Sequence, residues 1–180
     1  MSALDGVILT TFEVHRDDRG ALTEIFRDTW PTGIEPVQWN WVSSNADVLR
    51  GVHVHVQHLD YLMCIHGEML LGLCDIRPES ATRGRSEFVT LKADEPRAVT
   101  IPEGVAHGFY FAAPAQILYG VSHYWQAVDE LGCRWNDPSL ELDWPTRAPH
   151  LSGRDQTAGP YQQMLDGYLQ GREKLARGEF

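Results

Sequence analysis

The sequence predicts an all-β protein, an antiparallel sandwich or barrel, with one amphipathic helix at the C-terminus. Three observations carry that prediction. Short apolar or alternating runs recur at close spacing between Gly and Pro turns, helical periodicity is nearly absent before Pro160, and one apolar stripe at helical spacing follows it. A chain of 180 residues with 43% hydrophobic content is sized for one core, so a single domain over 1–180 is expected.

The first strand is expected over Val7–Phe12, running into the charged turn His15-Arg16-Asp17-Asp18-Arg19-Gly20. A second follows at Ala21–Phe26, with Leu22, Glu24 and Phe26 on one face. Pro31, Gly33 and Pro36 mark a loop before the aromatic-rich strand Val37–Val42, which sets Gln38 and Asn40 on one side. After the Arg50–Val56 strand come Tyr61–Ile65, a turn at His66-Gly67-Glu68, and Met69–Ile76, apolar on both faces. Glu87–Leu91, Ala98–Ile101, a strand at His107–Phe111 reached through the Pro102-Glu103-Gly104 turn, and Ile117–Tyr124 complete the set. Pro160 then opens a helix over about 160–177 with Tyr161, Met164, Leu165, Tyr168 and Leu169 on one stripe and Gly178 beyond its end.

Composition narrows the function. A formal net charge of −10 argues against a general nucleic-acid or anionic-membrane surface. The three cysteines, Cys64, Cys74 and Cys133, lack C-x-x-C spacing and read as packed thiols of a reducing compartment. No apolar run is long enough for a membrane span and no export signal is evident, so a cytoplasmic protein is the expectation.

The most informative stretch is Arg50–Val56. Val52, Val54 and Val56 alternate with His53 and His55, giving a strand with one oily face and one imidazole face. Two ring nitrogens on alternate positions can form a proton-transfer pair or two metal ligands, and an exposed strand with a wet histidine face gives the same pattern.

His53-x-His55, Asp60 and Gly67, together with the later Pro102-x-Gly104-x-x-His107, resemble the paired motifs of cupins, which are small β-barrels of jelly-roll topology. In metal-binding cupins those positions hold a divalent ion. The resemblance therefore implies an alternative metal set of His53, His55, Asp60 and His107, with aspartate where glutamate is usual.

A more specific resemblance covers the chain as far as Asp155. Asp18-Arg19-Gly20, Val48-Leu49-Arg50-Gly51-Val52-His53, Ile101-Pro102-Glu103-Gly104-Val105-Ala106-His107-Gly108-Phe109, Trp135-Asn136-Asp137-Pro138 and Leu151-Ser152-Gly153-Arg154-Asp155 follow the order of the dTDP-4-dehydrorhamnose 3,5-epimerase family. That resemblance implies a homodimeric cupin acting on a nucleoside-diphosphate 4-keto-6-deoxy sugar, without metal or other cofactor. It makes His53 the base that removes a proton next to the ketone and Asp155 the carboxylate that orients it. Arg19 and Arg50 match positions that hold the diphosphate or sugar; Glu24, Gln38, Asn40, His107, Tyr119 and Trp135 match further pocket positions.

The chain also departs from the family. Where the family's proton-donating tyrosine is expected to end a Tyr-Tyr pair, this chain reads Tyr124-Trp125, so Trp125 takes the acid's place, and indole is no proton source. The segment after the base is a few residues shorter, and Asp60 stands nearest the place of a lysine that stabilises the enolate. Tyr124, His123 and His55 are candidates to take over. A base retained beside an altered acid implies epimerisation at one of C3 and C5. The His53-x-His55 pair is also locally similar to sugar-nucleotide 3,4-ketoisomerases, which provide a second enzyme reading, and a metal-binding, non-catalytic cupin is a third.

Overall fold

The computed structural model describes residues 2–179. Its strands are β1 (Ile8–Thr11), β2 (Val14–Asp17), β3 (Gly20–Thr23), β4 (Gln38–Ser44), β5 (Val48–Val54), β6 (Asp60–His66), β7 (Glu68–Asp75), β8 (Ser86–Lys92), β9 (Arg97–Ile101), β10 (Val105–Phe111), β11 (Ala115–Val121) and β12 (Leu131–Gly132). Two helices follow, the short α1 (Gly153–Gln156) and the long α2 (Tyr161–Ala176). One sheet has the order β1-β9-β6-β11-β4, the other β12-β5-β10-β7-β8, and β2-β3 forms a separate hairpin. Pairing within both sheets is antiparallel, and neighbours in space are often distant in sequence, the jelly-roll arrangement that the cupin resemblance implied.

Alternation along the strands explains the layers. Leu62, Cys64, Met69, Leu71, Leu73, Leu91, Val99, Ile101, Phe111 and Ile117 point between the sheets and are buried there. β7 is apolar on both faces because its outer side is also covered: Cys74 and Leu70 meet Trp144, Met164 and Tyr168 in a second core under α2. That helix begins after Pro160 and presents the expected stripe, so it packs on the sheet as its sequence demands. Phe12, Ile34, Tyr61 and Met63 form a third cluster over the outer face of the first sheet.

Three expectations are corrected. The strand expected over Ala21–Phe26 ends at Thr23, because Glu24 leaves the ladder and pairs with Arg27 on the surface. Much of the charged turn at 15–20 is itself strand, since His15 and Arg16 pair with Leu22 and Ala21 around Asp18-Arg19. The strand expected to reach Tyr124 ends at Val121, where β11 runs out of partners on both sides: Gln38 begins β4 and Asp60 begins β6.

Candidate active site

A cavity of about 490 Å³ opens between the two sheets, within the range of small-ligand sites. The second sheet contributes Arg50, His53, His107 and Phe109. The first contributes Asn40, Asp60, Ile117, Tyr119 and Val121. His55, His58, Trp125 and Glu130 come from loops, and Ser152, Arg154 and Asp155 from the start of α1.

The β5 backbone sets this geometry. Opposite β10, His53 pairs with His107 and Arg50 with Phe109, so Gly51 and Val52 together face Gly108. The extra residue is a bulge that returns Arg50 and His53 to the same face despite their odd spacing. Gly51 has φ of +109°, and a Cβ there would lie 2.8 Å from the His107 carbonyl oxygen, so only glycine fits. Arg50 is steadied by a hydrogen bond donated from Nε to Ser44 Oγ at 3.0 Å.

His53 Nε2 lies 2.7 Å from Asp155 Oδ1, across a sequence gap of 102 residues. Asp155 is fixed by α1, whose N-cap Ser152 accepts a hydrogen bond from the Asp155 amide. Its Oδ2 faces the Gly51 amide at 3.4 Å. Burial would raise the Asp155 carboxyl, yet the hydrogen bond and charge of His53, with Ser152 and the Gly51 amide, outweigh it and hold the group below its ordinary value. A carboxylate at Nε2 selects the tautomer with hydrogen there, leaving Nδ1 of His53 as the basic nitrogen.

Deeper in the cavity, Asp60 is pushed up to about 7 by burial, which the charge of His58 opposes and the charges of Glu130 and Asp129 reinforce. Burial drives His107 down to about 3 and also holds His55 well below the ordinary imidazole range, with neighbouring histidines adding to both. For His58, burial acts downward, but the Asp129 hydrogen bond and then the Asp60 charge outweigh it and raise the group.

The chain brings most of the expected site residues together. Arg50, His53, His55, Asp60, His107, Asn40, Tyr119, Trp125 and Asp155 line one cavity, and Gln38 supports it by donating to Asn40 at 2.9 Å and accepting from the Trp125 amide. Others stand elsewhere in the single chain. Arg19 pairs with Asp17 at the tip of the β2–β3 hairpin, Glu24 pairs with Arg27, and Trp135 packs in the second core while accepting the Trp144 indole hydrogen. Tyr124 lies past the end of β11, 69% exposed, and is not among the lining residues; the tyrosine that lines the cavity is Tyr119. His58, Glu130 and Arg154, which line the cavity, and Asp129, which holds His55 and His58 from behind, were missed in the sequence. Arg154 lay inside a motif already singled out, and His58 two positions from Asp60 was a visible signal.

A family model for dTDP-4-dehydrorhamnose 3,5-epimerase matches residues 1–163. The chain belongs to the dTDP-4-dehydrorhamnose 3,5-epimerase family. It is 32% identical over 158 residues to the dTDP-4-dehydrorhamnose 3,5-epimerase of Shigella flexneri, which covers 83% of this chain and 87% of that one. It superposes with a TM-score of 0.82 and 30% identity on the dTDP-6-deoxy-D-glucose-3,5-epimerase of Legionella pneumophila in complex with dTDP-4-keto-L-rhamnose, covering 88% of this chain and 89% of the other. A 3′-monoepimerase from Streptomyces bikiniensis in complex with dTDP-quinovose gives a TM-score of 0.80 at 26% identity, with 96% and 98% coverage. Like the other members of the dTDP-4-dehydrorhamnose 3,5-epimerase family, this chain is an isomerase, and the match favours epimerisation over the ketoisomerase and non-catalytic readings.

Proposed function

We propose that this epimerase takes a nucleoside-diphosphate 4-keto-6-deoxy sugar into the cavity between its sheets and inverts a carbon next to the ketone. The observation that carries the reading is the His53–Asp155 pair at 2.7 Å inside that cavity. The ketone acidifies hydrogens at C3 and C5; Nδ1 of His53 removes one, and Asp155 stabilises the imidazolium that results. Reprotonation must come from the opposite wall to invert the centre. Tyr119 stands there on β11, and burial raises its phenol, so it keeps a proton to give. Tyr119 thus replaces Tyr124 as the acid, and Trp125 is left as a stacking surface at the cavity edge. Arg50 serves the diphosphate as a charged donor, with Arg154 beside the base.

With Tyr119 as the acid, the altered acid at Trp125 no longer argues for inversion at a single carbon, and isotope labelling counts the carbons inverted. The experiment is incubation with dTDP-4-keto-6-deoxyglucose in deuterated water. Deuterium at C3 or C5 in wild type and none in His53→Asn is expected, and the number of labelled carbons reports whether one or both invert. No label with active, folded wild-type protein would sink the reading.

The homodimer is likewise a proposal. β4 is an edge strand carrying exposed Trp39 and Trp41, and the β2–β3 hairpin exposes Leu22 close to Arg19. Pairing through that edge would also give Arg19 and Glu24 a route to a second copy's cavity. Sedimentation should show a dimer that Trp41→Glu dissociates; a monomeric wild type at micromolar concentration removes this element of the proposal. The packed thiols and the family suit a cytoplasmic location.

A further inference from the structure

One cluster in the cavity is not used by the proton transfer. Asp60 is buried, and its Oδ2 has no hydrogen-bond partner among the described residues. The Nε2 atoms of His107, His55 and His58 approach that oxygen at 3.6, 3.7 and 3.9 Å. All three are too long for hydrogen bonds. Their other ring nitrogens explain the standoff: Nδ1 of His107 is 3.1 Å from the Val105 carbonyl, Nδ1 of His55 is 3.0 Å from the Asp129 carbonyl, and Nδ1 of His58 is 2.8 Å from Asp129 Oδ2. Carbonyl and carboxylate oxygens only accept, so each Nδ1 carries the hydrogen and donates it. In neutral His55 and His107, Nε2 is then a bare lone pair. Those two lone pairs and Asp60 Oδ2 converge on one point with no hydrogen bond joining them, an arrangement that a bound cation would relieve.

We propose that His55, Asp60 and His107 bind one divalent transition-metal ion, with His58 stacked against His55 as support. The three ligand atoms lie within 4.8 Å of one another. A tetrahedral ion with bonds of about 2.0–2.1 Å holds its ligand atoms roughly 3.4 Å apart, so the Asp60 contacts need to close by only a few tenths of an ångström. Nδ1 held by a carbonyl is the outer contact that fixes a ligating imidazole's tautomer and aim, and both His55 and His107 have it. The His58 ring lies 3.7 Å from that of His55, centroid to centroid. Two imidazoles and one carboxylate suit Fe, Mn, Co, Ni or Zn rather than Mg or Ca, which take oxygen. The remaining coordination positions face the cavity, because all three ligands line it. The set corrects the one suggested by the cupin motifs, since His53 directs Nε2 to Asp155. The proposal neither uses nor requires the epimerisation reading.

The test is metal binding by the full chain, stripped with EDTA, loaded with Co²⁺ and desalted. About one Co²⁺ per chain by elemental analysis, with visible d–d bands, is expected. Asp60→Asn and His55→Gln should each weaken Co²⁺ binding by more than about 100-fold, beyond the ~10–100-fold cost of losing an outer partner, while His53→Asn keeps the ion and its spectrum. Circular dichroism confirms that each variant is folded. Less than about a tenth of an equivalent bound to the wild type, or binding lost in His53→Asn and kept in Asp60→Asn, would overturn the proposal.

Discussion

A single carboxylate decides how His53 behaves. Asp155 fixes the ring's tautomer and balances the charge that proton removal creates, so Asp155→Asn keeps the shape of the pair and removes its electrostatic role. We expect kcat to fall by roughly 10²–10⁴ with KM little changed, measured by steady-state kinetics; a loss confined to KM would mean that Asp155 serves binding alone. Tyr119 separates the two proton transfers. Tyr119→Phe should still exchange substrate hydrogen with deuterated water through His53, yet form epimer roughly 10²-fold more slowly. Tyr124→Phe, at an exposed position, should match the wild type, and a Tyr124→Phe defect equal to that of Tyr119→Phe would reverse the assignment. This distinction was hidden from the sequence because adjacent aromatics near a strand end give no sign of where the strand stops. His53 and Asp155 were legible through their motifs, but the 102-residue gap between them is closed by tertiary contacts, α1 packing on β5 and His150 bridging to Val48.

At the level of elements, the bulge in β5 is what makes a strand into a site. Odd spacing between Arg50 and His53 would put them on opposite faces of a regular strand, and the extra residue at Gly51 and Val52 reverses that. Gly51→Ala adds a Cβ 2.8 Å from the His107 carbonyl and 3.0 Å from the Gly108 Cα, at a φ of +109° that alanine avoids. It should destabilise the chain by about 2–4 kcal/mol in urea melts, from backbone strain and overpacking together, and lower kcat because Arg50 and His53 no longer share a face. Unchanged stability would show that β5 absorbs the side chain. Most elements could be read from period and turn residues, α2 most clearly, because its stripe and Pro160 are local signals. The hairpin strands β2 and β3 were harder: they are short, charged and exposed, and only their pairing with each other makes them strands.

At the level of the molecule, stability in acid depends on carboxylates that the fold has already satisfied, and Asp75 is the clearest case. It ends β7, fully buried, and accepts hydrogen bonds from the Arg77 amide and guanidinium, Ser80 Oγ and Thr82 Oγ1, while Arg77 also reaches the Asp5 carbonyl and so ties the N-terminal segment to the sheet. Burial acts to raise the group, but those donors, Arg77 first, outweigh it and bring Asp75 from 3.8 down to about 2. A carboxyl depressed in the folded state binds protons more weakly there than in the unfolded chain. Its contribution is therefore fully present above the unfolded value near 3.8 and is lost as pH falls toward about 2. The interval corresponds to about 2 kcal/mol. Asp75→Asn should accordingly be less stable than wild type by at least that amount at neutral pH, since the amide also leaves Arg77 without its charge partner. Urea denaturation from pH 7 to pH 2 should show the two curves converging, with the change concentrated below about pH 4. A gap that stays constant across that range would mean that the Asp75 network holds the N-terminus by packing rather than by charge.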